Sequence, residues 1–515
     1  MTNWIEFSLQ IDGKHNKADL AYALAALSAG CDVRFGALRP HQAPAWNAFL
    51  VQLATMALDR AGKTLEPFDP TTWRGLLVDL ANADQPGSGE TAFALIAASN
   101  RPAFFQAPTP DGLSTFKNSV TTPDQLDMLV TSKNHDLKAA RMLGADDEDW
   151  AFALMSLQTQ EGFLGRGNYG IARMNGGFAA RPFVGLQVSA NTGVQFCRDV
   201  SLLLANIDAM AGFFSGHVGL TWIRPWDGVR QFAINELHPL CLEICRRVRL
   251  ERDIDGRIFA RVGNSEAARI ATPPEFKGDT SDPWTPVLSG EGKSLSLSSD
   301  GYSWRVMCKL LFGNAKERWA MPLLAKPQKA DGRGILVLQC AGIARGQGKT
   351  EGYHSRAISI PPARHAILEP GSDDHAAWAL AAKNHQEDAA TMARKVLRFA
   401  LMCGFQKGRD QVRLDARESG SAADQILHEH FDPFVDRNFF EFLLEGPDQP
   451  FEERQLAWQQ ALKVWAERAL HLGLANGPQT EERRFWAEAH AQSAFNATLY
   501  KNFENLRAPG LAKQS

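Results

Sequence analysis

Glu161-Gly-Phe-Leu-Gly-Arg-Gly-Asn-Tyr-Gly170, continuing through Ile171-Ala-Arg-Met-Asn-Gly-Gly177, is the stretch from which the rest of the chain is best read. Seven glycines fall between Gly162 and Gly185, with Arg166, Arg173 and Arg181 set among them. Glycine lacks a Cβ, so such a segment takes positive φ and brings its backbone close to a partner. The arginines add planar charge that suits phosphate or a base edge. Just before it, the acids Asp146-Asp-Glu-Asp149 favour the positive end of a helix dipole, and the spacing predicts a helix over Trp150–Gln158. A helix feeding a pliable, donor-rich loop is a platform for a ligand; a loop that merely turns is the simpler alternative.

At 515 residues the chain exceeds one core, so two or more domains are expected. A hydrophobic fraction of 44% with 22% charged residues is that of an ordinary globular protein. No apolar run approaches bilayer-spanning length, and Met1-Thr-Asn-Trp-Ile-Glu lacks a charged-then-apolar leader pattern; the expected address is cytoplasmic, with no membrane partner. Seven scattered cysteines fit reduced core thiols better than a disulfide framework. Cys241 and Cys245 lie in an apolar run that reads as helical, with no second pair to complete a zinc site. The net charge of −3 argues against indiscriminate nucleic-acid coating but allows local clusters. One such cluster is Cys245–Arg261, with six arginines against three acids; its other reading is a solvated strand and turn pair.

Outward from the loop, Trp4–Gln10 reads as a strand and Lys17–Ser28 as an Ala/Leu helix. Ala43–Asp59 reads as a buried helix with few charges and Pro44 at its start, and Trp73–Ala81 continues in that style. A long helix is expected from Asn191 to Phe214, and another over Tyr302–Phe312. Residues 272–301 read as a loop carrying Lys277. Gly334–Cys340 is a β-type run. Beyond Leu368-Glu-Pro-Gly nearly everything reads as helix: one capped by Ser372 and reaching Met402, one over Ser421–Leu444 interrupted near Pro433, one from Pro450, and one capped by Thr480. The third shows Trp458, Leu462, Trp465, Ala469 and Leu472 on one face; the fourth carries Phe485, Trp486, Ala489, Phe495 and Leu499. Four such helices pack most simply as a bundle. The fold class is therefore α+β: a mixed α/β domain over 1–367 and a four-helix bundle over 368–515.

Gly342-Ile-Ala-Arg-Gly-Gln-Gly-Lys-Thr350 follows a strand and suggests a P-loop. It encloses five residues where a phosphate-cradling loop encloses four, and Glu351–Pro362 leads into a β-type run with two prolines rather than a helix. The reading is a hairpin tip bearing Arg345, Gln347 and Lys349. His428-Glu-His430 with Asp432 is a poor metal cluster, because residues two apart on a helix diverge. No catalytic motif, metal site or cofactor is expected.

In the order of these features the chain resembles the CasA family, the large subunit of the type I-E CRISPR surveillance complex Cascade. The resemblance runs over nearly the whole length: Asn3-Trp-Ile, the helix at 43–59, the glycine loop, the strand-hairpin-strand at 334–360, and the bundle. It implies a non-catalytic DNA reader that assembles with guide RNA and other Cascade subunits, inspects a short motif in target double-stranded DNA, helps open the duplex, and recruits a helicase-nuclease. The family's glycine loop falls on Gly165, Arg166, Gly167 and Asn168. Its glutamine wedge falls on Arg345, Gly346, Gln347 and Gly348, with Lys349 beside it. Its lysine finger falls on Lys277, with Arg269 the alternative. Its guide-RNA loop falls on Leu129, Val130, Thr131, Lys133, Asn134 and His135, where this chain lacks the family's Phe-Val-Asn pattern. The minor groove distinguishes base pairs poorly, so backbone amides suit tolerant reading there, and a wedge pays a few kcal/mol to unstack a step. A nucleotide- or metal-dependent hydrolase and a purely structural scaffold are the competing readings.

Overall fold

A computed structural model describes residues 3–129, 144–173, 180–313, 318–346, 349–406, 412–445, 449–475 and 480–507. The chain divides into two compact units: residues 1–302 with 313–358, and residues 303–312 with 359–515. The expected line at 367/368 thus differs from this division in giving 303–312 and 359–367 to the first part. The architecture is α+β, with helices and strands mixed in the first unit and helices dominating the second.

The first unit is organised around the helix Ala43–Arg60, whose residues from Ala45 to Ala57 are nearly all buried. A helix buried on every side needs partners on every side. The hairpin Glu6–Ile11/Lys14–Asp19 and the strand Val33–Phe35 form a three-stranded sheet beside it. The turn between the hairpin strands takes positive φ at Asp12 and Gly13, as a tight hairpin turn requires. Phe7, Phe35, Trp46 and Phe152 interlock, with ring centroids 4.8–6.1 Å apart. The acid-started helix is Asp147–Gln160 and is also buried almost throughout. Its Glu148 is not a solvated dipole partner alone: it accepts hydrogen bonds from the Ser8 amide (2.9 Å) and hydroxyl (2.7 Å), fixing the helix to the first strand.

Several elements depart from expectation. Lys14–Asp19 is a strand, and the following helix starts at Leu20 with Asp19 capping the Tyr22 amide. The long helix from Asn191 is two, Thr192–Leu204 and Ile207–Ala211. Cys241 lies in a strand, Leu237–Leu242, pairing in parallel with Val218–Leu220, and not in a helix. A short run buried on both faces has no periodicity to separate the two states. Both thiols are buried and free, and burial pushes each up to about 12. The β-type run at 334 extends as Leu336–Gly346, the middle strand between Lys349–Ile360 and Phe183–Gln187. It pairs antiparallel with the latter from Val337↔Gln187 to Ala341↔Phe183.

In the second unit four helical rods form the bundle. The first runs Asp373–Thr391, through a wide turn at Met392–Leu397, into Arg398–Phe405. The second runs from Arg417 to Glu445, passing Pro433 without a break because a wide turn at Leu427–Phe431 absorbs it. Phe451–Ala475 and Glu481–Asn502 complete the set. Gly404 and Gly473 permit close crossings: a Cβ on Gly404 would stand 3.1 Å from the Ala487 carbonyl oxygen, and one on Gly473 would stand 2.6 Å from Ile426 Cδ1. The buried stripe of the last helix is Ala487, Ala491, Ala494, Phe495 and Leu499. Phe485 and Trp486 were expected on it but are 70% and 55% exposed, and Leu472 is 40% exposed. Small residues, not large ones, face a glycine crossing. Among the described residues no helix is long and apolar enough to cross a membrane.

Candidate functional site

The glycine loop leaves the helix Asp147–Gln160 at the buried Glu161. Its two legs are closed by the Ile171 amide donating to Glu161 O (3.0 Å) and by Arg246, which donates to Gly162 O (3.0 Å) and to Tyr169 O. The legs meet so closely that a Cβ on Gly170 would lie 2.5 Å from the Gly162 carbonyl carbon. Above this neck the chain turns tightly, with Asn168 N to Gly165 O at 3.0 Å and positive φ at Gly165 and Gly167. Leu164 and Arg166 are exposed, Gly165 and Asn168 half-buried, and Gly167 buried against Asn264 while its carbonyl accepts from Ser265 N (3.1 Å).

Lys277 is exposed and holds φ +47°, a left-handed conformation that costs energy in any residue other than glycine. The strain is held in place because Lys277 O accepts from both the amide (3.2 Å) and the hydroxyl of Ser294, while Nζ donates to Glu291 O (3.2 Å). A cavity of about 740 Å3 is lined by Phe163, Tyr169 and Gly170 of the glycine loop and by Lys277 and Gly278. Loop and lysine therefore border one hollow. Arg269, the other candidate for the finger, is fully engaged inside: it donates to Thr221 O, Arg224 O, Pro225 O and Arg230 O, stacks on Phe232 at 4.3 Å, and burial pushes it down to about 9.

The segment 342–350 has strands on both sides and no helix after it, as the hairpin reading expects and a P-loop does not. The hairpin is tied down on each strand. Arg345 forms an ion pair with Glu161 at 2.6 Å, its side chain 9% exposed, so its guanidinium faces the neck of the glycine loop rather than solvent. Thr350 Oγ1 donates to Met128 O (2.8 Å). Gly346 sits against the Glu351 carboxylate. Gln347, Gly348 and the side chain of Lys349 lie outside the described residues.

Met128 and Leu129 lead into the predicted guide-RNA segment, of which Val130, Thr131, Lys133, Asn134 and His135 also lie outside the described residues. Its entrance is well built. Buried Asp127 accepts from Leu129 N (2.9 Å), contacts His41 Nε2 at 2.8 Å, and accepts from Gln42 Nε2 (2.7 Å). Burial alone would raise the Asp127 carboxyl; the bonds to His41 and Leu129 and the charges of His41 and Arg39 outweigh it and hold it below the usual range.

Half of the arginine cluster at 245–261 is interior: Arg246, Arg247 and Arg249 are buried, while Arg252–Arg257 form an exposed turn between two strands, as the strand-and-turn reading expects. Arg249 donates to the carbonyls of Ala97, Ala98, Arg101, Gln106 and Ala107, and burial pushes it down to about 10. Arg247 donates to Asn264 O and lies over Phe116. Arg252 pairs with Asp147 and Arg261 with Glu251. Gln158 holds this strand to the glycine-loop helix, accepting from the Cys245 and Arg246 amides (2.8 Å each). Beneath the loop's second leg, Arg181 grips Asp282 with two bonds (2.7 and 2.9 Å), and Arg173 faces Glu243 at 3.1 Å. Sequence reading counted these arginines as ligand donors; their true partners are remote in sequence and carry no local signal.

Among the described residues no group of three or more His, Cys, Asp or Glu is placed to hold a metal ion. His428 and His430 sit on the wide turn Leu427–Phe431. A second cavity, about 430 Å3, is lined by Phe35, Phe183, Trp284 and Tyr353 and touches none of the predicted site residues.

No protein-family model matches the chain, and no curated protein sequence matches it. Solved structures do. Cse1 from Acidimicrobium ferrooxidans superposes with a TM-score of 0.62 at 16% identity, covering 98% of this chain and 98% of that one. CasA (Cse1) from Thermus thermophilus gives 0.62 at 16%, covering 97% and 98%. A chain of a structure titled "CRISPR RNA-guided surveillance complex" gives 0.57 at 14%, covering 96% and 99%. At these identities the likeness is one of fold, and it spans both units.

Proposed function

We propose that this chain is the large, motif-reading subunit of an RNA-guided surveillance complex of the type I-E Cascade kind. In this reading it assembles with guide RNA and other Cascade subunits in the cytoplasm, as a mixed α/β domain (1–367) and a helical bundle (368–515). It inspects a short motif in duplex DNA through the minor groove, helps open the duplex, and docks a helicase-nuclease that does the cutting; its own role is not catalytic. The observation that carries the proposal is the convergence of three separate segments. The neck of the glycine loop is ion-paired to the hairpin through Glu161–Arg345, and the hairpin's other strand is bonded to Met128 at the door of the 130–143 segment. The glycine loop and Lys277 share a hollow. The fold likeness to Cse1 and CasA proteins supports the same reading. Gly165, Arg166, Asn168 and Lys277 are then the groove-facing set, the loop residues held up by Gly167 packed beneath them against Asn264, with Gln347, Gly348 and Lys349 as the wedge. Arg345 acts from inside, holding the wedge to the loop, with Gly346 giving its strand room.

The test compares motif-containing paired duplex with a target opened in advance. Arg166→Ala and Gly167→Asp are expected to weaken binding to the paired duplex by tenfold or more while leaving the pre-opened target within about twofold, since phosphate and groove contacts precede opening. Equal losses on both substrates, in an electrophoretic mobility assay at fixed salt, would reject the groove-reading role.

A further inference from the structure

The hollow between the glycine loop and Lys277 has a chemistry that reading a closed groove leaves unused. A paired duplex is met by a ridge that enters its groove, whereas this surface is concave. Phe163 and Tyr169 line it, their ring centroids 5.8 Å apart and tilted by 49°. Gln231 and the exposed Glu266 supply polar edges, and Lys277 a cation. A volume of about 740 Å3 is generous for one small polar-aromatic ligand. Gln231 also lines an adjoining cavity of about 290 Å3 that carries Arg224 and the exposed Arg230. Rings, a hydrogen-bonding edge and cations on either side are the three things a base needs once it has left its stack.

We propose that this hollow takes a single unpaired nucleotide of a nucleic-acid strand. The base stacks on Phe163 and Tyr169 and turns its edge to Gln231 and Glu266, while the flanking phosphates meet Lys277 on one side and Arg230 on the other. A carboxylate only accepts hydrogen bonds, so Glu266 favours bases with an exocyclic amino group over thymine, whose single edge donor, N3–H, is flanked by two carbonyl oxygens that a carboxylate repels. The inference rests on the reading of this face as DNA-binding and deepens it: the face holds a base that opening sets free, not only the closed duplex.

The purified full-length chain is titrated with two duplexes of one motif-containing sequence, fully paired or carrying one bulged 2-aminopurine beside the motif. The bulged duplex is expected to bind roughly tenfold tighter, within the range that stacking one base gives, and its fluorescence to be quenched on binding. Phe163→Leu and Tyr169→Leu should abolish both effects while sparing the paired duplex. A bulged thymine should bind more weakly than 2-aminopurine, and Glu266→Ala should narrow that difference to what purine-over-pyrimidine stacking leaves. Equal affinity for the two duplexes, or a preference that survives both leucine variants, overturns the inference. If the paired duplex still binds with motif preference in that case, the proposed function stands without the hollow. If neither duplex binds, both fall together.

Discussion

Both units bury arginines against acceptors, but the second also buries a histidine that gives up its charge. In the first, Asp282 and Glu243 face the buried Arg181 and Arg173, and backbone carbonyls converge on Arg249 and Arg246. Burial pulls the Asp282 carboxyl upward, yet the two arginines prevail and hold it low. In the second unit His385 is 2% exposed, stacked at 5.5 Å on Trp458, with Nδ1 toward Ala381 O and Nε2 lacking a partner. Burial pushes it down to about 4, so it stays neutral. Arg454 of the second unit is buried as the arginines of the first are, donating to the carbonyls of Gln449 and Leu443; His385 is the group that surrenders its charge.

That contrast can be broken in graded ways. The largest effect is expected from Asp282→Ala, which strands Arg181 in the interior while Arg173 keeps Glu243; a loss of about 3–5 kcal/mol should appear as a lowered urea midpoint. Next comes acid. Because the folded value for His385 lies below the ordinary 6.5, the unfolded chain binds its proton first as pH falls. Stability should therefore be intact above about pH 6.5 and decline toward pH 4, by on the order of 3 kcal/mol at most. His385→Phe should flatten that part of the pH–stability curve, and an unchanged slope would refute the assignment. Arg246→Met leaves the Gly162 and Tyr169 carbonyls without their shared donor, for about 2 kcal/mol and faster proteolysis within the glycine loop. Smallest in stability is Lys277→Gln, within about 0.5 kcal/mol, because this cation is exposed. Its signature is elsewhere: the slope of log affinity for duplex DNA against log salt should fall by about one.

Much of the fold was legible from residues that announce themselves. The charge-poor Ala43–Asp59 run, the acids at 146–149 and the Ser372 cap each carry a local cause, and the proline-bearing β run after Lys349 correctly argued for a hairpin over a P-loop. What stayed hidden depends on partners far away in sequence. Nothing near Arg249 says that five carbonyls between residues 97 and 107 await it. Nothing near Glu161 points to Arg345, 184 positions on. The last helix misled for a related reason: Phe485 and Trp486 look like core, but a glycine on the facing helix selects Ala487 and Ala491 instead. Of the site, loop and lysine were readable as types of residue; that they meet was implied only by the resemblance, because 107 positions separate Gly170 from Lys277 in the chain.

The pinched neck at Gly162 and Gly170 has a last consequence, for evolution. A loop shut at its root transmits little of its tip's conformation downward, and lengthening a closed loop costs only slowly growing entropy. Residues 163–169 hang from that closed root and, apart from Gly167 against Asn264 and Ser265, can change in sequence or length while the framework beneath remains untouched.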